Sequence, residues 1–316
     1  MGHNASDMIL VTGASGLLGA NFVQVARAAG RPVVAQYRQH PTEELGVTSI
    51  RADLTDAAAV SGLMEKARPA WVVHCAAAAN VDWCEQHPDE ARRINVDGSR
   101  MVAREARRAG ARLVHISTDA VFDGARGNYA EDDTINPVNE YSRSKADAEV
   151  AVREELGAAL IVRTTIYGWN FQPKQSLGEW LVAELSSGRS VIGFSDLVFS
   201  PLLVNHLSEL LLEMMGRSLQ GVYHVAASDS CTKYDFGKRM ARKFGLDESL
   251  VRPGTTEDVP RPARRPRNLS LNTGKIARAL GRTMPTVDEG IAAFDALRDT
   301  GFAARMKDRG PAHAQS

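Results

Sequence analysis

The sequence predicts an α/β fold, in which a doubly wound parallel sheet is followed by a smaller C-terminal lobe. Apolar strand-like runs alternate with helical patterns through the first half of the chain, which is typical of a parallel sheet with right-handed crossovers. A glycine-rich turn stands between the first such strand and the first helix. Because this rhythm changes after residue 168, we assign residues 1–168 to the sheet domain. Residues 169–300 form mainly the lobe, with segments returning to the sheet, and residues 301–316 form a polar tail that we expect to be frayed from residue 305.

The composition is that of an ordinary globular protein. The 316 residues include 38 basic and 38 acidic side chains, and a net charge of zero argues against nucleic-acid binding through bulk charge. No apolar run reaches the roughly 18 residues that a membrane helix needs, and residues 1–7 are polar. The three cysteines lack C-x-x-C spacing, as expected for free thiols in a reducing compartment. We therefore expect a cytoplasmic protein with no membrane or nucleic-acid partner.

The glycine-rich turn carries the first functional signal. Its glycines stand at positions 13, 16 and 19, a G-x-x-G-x-x-G spacing that is one residue longer than the common G-x-G-x-x-G fingerprint. Glycine lets the backbone approach a phosphate without a Cβ in the way, and the following helix N-terminus offers N–H groups to a pyrophosphate. A glycine turn can also be purely structural. Its place between a strand and a helix favours dinucleotide binding.

The ends of the next two predicted strands indicate which dinucleotide binds. An acidic residue about 20 positions past the glycines usually holds the adenosine ribose 2′-hydroxyl, but Arg38 stands there, after the strand at residues 33–37. A guanidinium suits a 2′-phosphate, so NADPH is favoured, with NADH possible and an exposed loop arginine as the alternative. After the strand at residues 49–52, Asp53 could accept from the adenine amino group, or the residues beside it could cap the next helix.

A further strand, which begins at residue 71, runs into small side chains at residues 75–79, and these leave room for a ligand at the sheet edge. Cys75 is interpreted as a small packed residue, because spacing places no histidine partner beside it. His74, His206 and His224 lie in apolar surroundings without ligand spacing. We expect packed, hydrogen-bonded histidines and no metal site.

Tyr141 and Lys145 are the candidate reacting pair, since residues four apart share one face of a helix. A phenol has a pKa near 10, and a neighbouring ammonium is expected to lower it. Tyr141 could then donate a proton to a carbonyl or take one from a hydroxyl. Thr118, or Ser117 beside it, ends the preceding strand and could hydrogen-bond the substrate oxygen. The Y-x-x-x-K spacing is common by itself. It becomes a specific signal for this chemistry when a glycine turn and a Ser-Thr strand end precede it in the chain.

In these motifs the sequence resembles the extended short-chain dehydrogenase/reductases, and within them the dTDP-4-dehydrorhamnose reductase family. The matching segments are residues 12–19, 53–54, 74–77, 80–82, 95–96, 117–124 and 265–268, with Tyr141 and Lys145. The resemblance implies a Rossmann domain, a nicotinamide cofactor, a nucleotide-sugar substrate and a catalytic trio of Thr118, Tyr141 and Lys145. The residues assigned to the cofactor are Gly13, Ser15, Gly16, Leu17, Leu18, Arg38, Asp53, Leu54, Cys75, Ala76, Ala77, Tyr141 and Lys145.

The residues assigned to the substrate are Thr118, Trp169, Asn170 and Arg267. Trp169 and Asn170 follow the sixth strand, where a packing role is an equal alternative. Arg267 belongs to an arginine cluster that could grip a diphosphate or lie in a solvated loop, together with Arg261, Arg264 and Arg265. The sequence departs from the family pattern at Leu269, where the family carries a serine, and at residues 78–79, where an aromatic is usual. The first departure leaves the sugar open, and the second could reshape the floor of the site near the nicotinamide.

The expected reaction is NAD(P)H-dependent reduction of the 4-keto group of a nucleotide-linked 6-deoxy sugar, with dTDP as the expected nucleotide. One alternative is a non-catalytic NADP-binding subunit, similar to the regulatory subunit of methionine adenosyltransferase, and the complete trio argues against it. The other is a nucleotide-sugar epimerase or dehydratase with tightly held NAD⁺, and Arg38 argues mildly against it. The sequence is also compatible with a homodimer.

Overall fold

The computed structural model describes residues 7–307, and within them a seven-stranded parallel sheet forms the centre of the molecule. Its strands, in chain order, are β1 (Ile9–Thr12), β2 (Val33–Tyr37), β3 (Thr48–Arg51), β4 (Trp71–His74), β5 (Arg112–Thr118), β6 (Leu160–Thr164) and β11 (Gly221–His224). Their order across the sheet is β11-β6-β5-β4-β1-β2-β3. The register pairs Thr12 with His74 and Thr118 with Thr164, so polar strand ends lie at one edge. The predicted doubly wound α/β fold is confirmed.

The remaining strands are short and pair outside this sheet: β7 (Ile166–Tyr167) with β10 (Leu202–Leu203), β8 (Val191–Phe194) with β13 (Val251–Gly254), and β9 (Val198–Phe199) with β12 (Cys231–Thr232). The helices are α1 (Leu17–Ala28), α2 (Ala57–Ala67), α3 (Val81–Gln86), α4 (Pro88–Arg92), α5 (Gly98–Arg108), α6 (Glu140–Glu155), α7 (Leu177–Ser186), α8 (Val204–Gly216), α9 (Lys233–Lys243), α10 (Gly274–Leu280), α11 (Val287–Asp299) and α12 (Phe302–Lys307).

Helices cover both faces of the sheet, as the alternation of strand side chains requires. Val11 and Val73 face a core that includes residues of α1 and α8, whereas Leu10 and Val72 face a core that includes residues of α2, α5 and α6. A third core, built around Phe236 of α9 and also including residues of α7 and α11, lies in the C-terminal half. Chain segments after residue 168 therefore do two things: β11, α8, α10 and α12 complete the sheet domain, and α7, α9 and α11 build a second packed unit.

One helical segment is irregular, and one sequence expectation is corrected. A π-helical turn at Arg93–Asp97 lies between α4 and α5. The turn includes the buried Asn95, whose side chain bonds both backbone groups of Ala78 and the hydroxyl of Ser144. The tail is not frayed from residue 305, because α12 reaches Lys307 and Met306 is only 2% exposed. Residues 308–316, the rest of the predicted tail, lie outside the described residues, as do residues 1–6.

Within residues 7–307, none of the helices has both the length and the apolar character required to cross a bilayer.

Candidate active site

Two cavities within the described residues open at the carboxyl edge of the sheet, and they meet at the predicted catalytic residues. We call the first the glycine-turn cavity: it measures about 880 Å³ and runs along Gly13, Arg38 and the end of β4. The second, the lobe cavity, measures about 1500 Å³ and lies between the sheet edge and the C-terminal lobe. Residues that line both cavities are Thr118, Tyr141, Thr165 and Leu177.

The glycine turn is shaped by close backbone packing. Gly13 has φ +62°, and a Cβ there would lie 2.7 Å from the backbone of Ala76. A Cβ on Gly19 would lie 2.3 Å from the carbonyl oxygen of Gly13. Gly16 is the N-cap residue of α1, and as a glycine it supplies no side-chain cap to this helix N-terminus. The turn therefore presents uncapped N–H groups and a glycine surface to the cavity, which fits a pyrophosphate.

Every residue that the sequence assigns to the cofactor lines the glycine-turn cavity. Arg38 stands at the end of β2, and its charge helps to lower the pKa of Asp53, although hydrogen bonding by Thr55 is the larger cause. The carboxylate of Asp53 accepts from the Thr55 backbone N–H at 2.9 Å and from its hydroxyl at 2.8 Å. Asp56 caps α2 by accepting from Ala58. The capping alternative therefore holds for Asp56, while Asp53 borders the cavity next to Arg38.

Tyr141 and Lys145 lie on the first turns of α6, but their predicted electrostatic coupling is wrong. Burial raises the pKa of Tyr141 to about 12, the charge of Asp119 adds to this rise, and Lys145 is not among the described groups that shift it. The Lys145 Nζ donates to the Ile116 carbonyl oxygen at 2.7 Å, and burial lowers the pKa of Lys145 to about 8. Desolvation is the largest cause for both groups: Lys145 is buried, and Tyr141 is half-buried at the junction of the cavities. Tyr141 is thus a neutral phenol at neutral pH.

The two strand-end hydroxyls left open by the sequence have different partners. Ser117 donates to the buried Glu149 at 2.5 Å, and Glu149 also forms a two-pronged ion pair with Arg163, at 2.9 and 2.8 Å. Thr118 lines both cavities, as Tyr141 does. The geometry therefore favours Thr118, not Ser117, as the hydroxyl that can meet a ligand.

The predicted substrate residues are distributed over three places. Trp169 lines neither of the two described cavities, because its ring stacks on Phe294 at 4.4 Å and its Nε1 donates to the Phe294 carbonyl. These contacts favour the packing alternative for Trp169. Asn170 lines the glycine-turn cavity, not the lobe cavity, and donates to the Lys174 carbonyl at 2.7 Å. Arg267 does line the lobe cavity.

The arginine cluster borders the lobe cavity as a whole, and its members differ in their partners. Arg267 is 66% exposed and its guanidinium lies 3.4 Å from Glu257. Arg265 is more enclosed and donates to Asp82 at 2.9 Å. Arg261 and Arg264 complete the set that lines this cavity. A concentration of guanidinium groups in a cavity suits an anionic ligand.

The buried histidines and Cys75 are packed residues. His74 bonds the hydroxyls of Thr12 and Ser99, and burial lowers its pKa to about 3. His206 is an exception to the expected hydrogen bonding, since its buried Nδ1 has no partner within the described residues. Burial raises the pKa of the Cys75 thiol to about 12. Within residues 7–307, no group of three or more His, Cys, Asp or Glu side chains is placed to hold a metal.

Two residues that sequence reasoning missed lie beside Thr118 in the lobe cavity. Asp119 follows Thr118 directly and is 6% exposed, and Lys233 at the start of α9 faces it. The position of Asp119 after the strand-end threonine was a usable signal. The sequence around Lys233 gives no signal of a functional role, because only tertiary packing brings α9 to this edge of the sheet.

Comparison with known proteins places this geometry in a family. The family model described as the RmlD substrate binding domain matches residues 7–297. The chain is 33% identical over 291 residues to the probable low-salt glycan biosynthesis reductase Agl14 of Haloferax volcanii, covering 90% of this chain and 96% of that protein. It is also 32% identical over 294 residues to methionine adenosyltransferase 2 subunit beta of Bos taurus, covering 85% and 81%.

Solved structures agree in fold. A dTDP-4-dehydrorhamnose reductase from Clostridium acetobutylicum aligns with a TM-score of 0.81 at 28% identity, covering 92% of this chain and 99% of that one. The same enzyme from Bacillus anthracis, solved in complex with NADP, aligns with a TM-score of 0.78 at 29% identity, covering 91% and 98%. The chain therefore belongs to the RmlD substrate-binding-domain family, whose fold it shares with the dTDP-4-dehydrorhamnose reductases.

Proposed function

We propose that this protein is an NADPH-dependent reductase of the 4-keto group of a nucleotide-linked 6-deoxy sugar, with dTDP as the preferred nucleotide. The observation that carries the proposal is the meeting of the two cavities at Thr118 and Tyr141. A hydride donor in one cavity and a carbonyl in the other would reach the same pair of hydroxyls. A bound nicotinamide supplies the hydride; the chain's own residues handle the proton.

The glycine-turn cavity supports the cofactor part of the proposal. The uncapped N-terminus of α1 and the contact of Gly13 with Ala76 form a surface that a pyrophosphate can approach closely. Arg38 would bind the 2′-phosphate, and Lys145 would hold the nicotinamide ribose. The solved Bacillus anthracis relative is a complex with NADP, whereas a more distant fold neighbour, the Thermus thermophilus UDP-glucose 4-epimerase, was solved with NAD.

Tyr141 would act as the general acid from its neutral form. Because burial raises the pKa of the phenol, Tyr141 keeps its proton until negative charge develops on the substrate oxygen. An alkoxide is a stronger base than a phenolate, so the proton transfer runs downhill without prior acidification by Lys145. Thr118 would hold the same oxygen by a hydrogen bond.

The lobe cavity supports the substrate part. It is large enough for a nucleotide sugar, and its arginines suit a diphosphate, with Arg267 as the residue assigned to it. The names of the reductase relatives favour a sugar linked to dTDP.

One second candidate has a specific observation in its favour. The 32% identity to methionine adenosyltransferase 2 subunit beta is close to the 33% identity to the reductase Agl14, so a cofactor-binding regulatory role competes with catalysis. Against this role stands the complete trio of Thr118, Tyr141 and Lys145 on the lining of the glycine-turn cavity.

The test is to follow NADPH oxidation by the purified protein with a panel of dTDP-, UDP- and GDP-linked 4-keto-6-deoxy sugars. We expect oxidation with the dTDP-linked ketosugar, and a protein that is purified without bound cofactor. Tight NADPH binding without turnover of any ketosugar would favour the regulatory role. Cofactor that stays bound through purification, with no net NADPH consumption, would favour an epimerase or dehydratase.

A further inference from the structure

Asp119 is an enclosed carboxyl group that the proposed function does not use. It follows Thr118 at the end of β5, lines the lobe cavity and is 6% exposed. Its Oδ1 lies 3.0 Å from the Thr118 Oγ1. We propose that Asp119 is a positioning residue whose protonation state decides whether the Thr118 hydroxyl donates to the substrate oxygen. This inference rests on the proposed reductase function and adds a regulating group to the same site.

The argument begins with the hydrogen-bonding capacity of Thr118. A threonine hydroxyl has one hydrogen to donate and two lone pairs. One lone pair of Thr118 accepts the backbone N–H of Ala120 at 3.2 Å. When Asp119 is ionised it can only accept, so it takes the single hydrogen of Thr118. The hydroxyl then has no hydrogen left for a carbonyl oxygen.

Protonation of Asp119 reverses this arrangement. A neutral carboxyl group can donate to the remaining lone pair of Thr118, and this frees the threonine hydrogen to point into the cavity. The Tyr141 phenol borders the same junction of the two cavities and, because burial raises its pKa, keeps its own hydrogen at neutral pH. With Asp119 neutral, both hydroxyl hydrogens can therefore meet one substrate oxygen.

The charges that face Asp119 set the pH at which this change occurs. The titratable groups that face it are Tyr141 from α6 and Lys233 from α9. Burial raises the pKa of Asp119 to about 7, while the hydrogen bond from Thr118 and the charge of Lys233 oppose that rise. Lys233 itself lies near Arg265 and Arg261, and burial lowers its pKa. The switch therefore falls near neutral pH.

The rate of reduction should fall as the pH rises. Below the pKa of Asp119 the carboxyl is neutral, Thr118 can donate, and reduction is fast. Above it the rate falls, and one pH unit above the midpoint it should be lower by roughly tenfold. Lys145, with a pKa of about 8, gives a second group that titrates on the alkaline side. The kcat–pH profile should therefore have two descending limbs, one from Asp119 and one from Lys145, and variants are needed to separate them.

The activity test compares kcat–pH profiles of the wild type, Asp119→Asn and Lys233→Met. Asparagine keeps a donor beside Thr118 and cannot ionise, so the limb near neutrality should vanish in Asp119→Asn while the limb of Lys145 remains. Removal of the Lys233 cation should raise the pKa of Asp119 and move the neutral limb to higher pH. Lys238→Met, on the same helix but bonded to the Glu248 carbonyl at 3.2 Å, is the matched control and should leave both limbs in place. A neutral limb that stays unmoved in both site variants overturns the inference.

A second measurement does not depend on activity. The carboxyl carbon of Asp119 in the intact wild-type protein can be titrated by NMR, with the Asp119→Asn spectrum to assign its signal. We expect a midpoint near neutrality that rises in Lys233→Met. A midpoint near the ordinary aspartate value of about 3.9 overturns the inference, whatever the protein reduces. A midpoint near 7 in a protein that reduces no ketosugar would instead overturn the proposed function, and with it this use of the acid.

Discussion

The glycine-turn cavity and the lobe cavity meet at one tyrosine, yet they are built in different ways. The glycine-turn cavity is formed by the ends of neighbouring parallel strands, and backbone and small side chains such as Gly13 and Ala76 shape its phosphate end. The lobe cavity is assembled from segments far apart in the chain, and long side chains such as Lys233 and Arg267 border it. The first is fixed by local motifs and close backbone contacts, while the second depends on how the lobe packs against the sheet.

This difference predicts where a substitution acts. A change at the junction should stop the reaction, a change in the glycine-turn cavity should alter cofactor choice, and a change in the lobe cavity should alter sugar affinity. The following substitutions test that division, beginning with the largest expected effect.

Tyr141→Phe should lower kcat by roughly 10²–10⁴, the range for loss of a general acid, with little change in the Kd for NADPH. The reason is that Tyr141 borders both cavities and carries the proton, while the cofactor surfaces remain intact. Steady-state kinetics and NADPH titration measure the two effects. Tyr223→Phe on β11, which lines neither described cavity, is the control and should keep wild-type kinetics. A Tyr141→Phe protein with near-wild-type kcat would rule out this acid.

Arg38→Ala should weaken NADPH binding by roughly ten- to hundredfold, as expected for losing hydrogen bonds between charged groups worth about 1.5–3 kcal/mol. NADH lacks the 2′-phosphate and serves as the internal control, so its Kd should change much less. Fluorescence titration of both cofactors is the measurement. Equal losses of affinity for NADPH and NADH would contradict the proposed contact of Arg38 with the 2′-phosphate.

Arg267→Ala should raise the KM for the nucleotide sugar by less than about tenfold, because an exposed guanidinium in water forms weak ion pairs. kcat and the Kd for NADPH should stay unchanged, since Arg267 borders the lobe cavity alone. Arg252→Ala, an exposed arginine on β13 that lines neither described cavity, is the matched control. A larger rise in the Kd for NADPH than in the KM for the nucleotide sugar would contradict the division of cofactor and substrate binding between the two cavities.

The same division explains how much could be predicted from the sequence. The residues assigned to the cofactor follow strand ends at motif spacing, so their assembly around one cavity follows from the parallel sheet. The sequence could not decide between the two roles of Trp169, because Phe294, whose ring stacks on it, is distant in sequence. Tertiary packing also brings Lys233 close to Asp119, and the local sequence around either residue does not indicate this approach.

The predicted chemistry of Tyr141 failed for a different reason. Spacing alone placed Lys145 one turn away, and the expected effect was an acidified phenol. In the structure the ammonium is bonded to the Ile116 carbonyl, and burial outweighs any help to the phenol. Sequence spacing gives proximity, but the direction of a pKa shift depends on burial and on which atoms the side chain reaches.

The central claim is that the two cavities hold a hydride donor and a ketone on either side of Tyr141. Its most direct test is transfer of deuterium from C4-deuterated NADPH to a dTDP-linked 4-keto-6-deoxy sugar, read by NMR of the product. The account predicts deuterium on the newly reduced carbon of the sugar, formed in step with NADPH oxidation, and loss of this signal in Tyr141→Phe. Deuterium that remains on the cofactor, with the ketosugar unchanged, would contradict it.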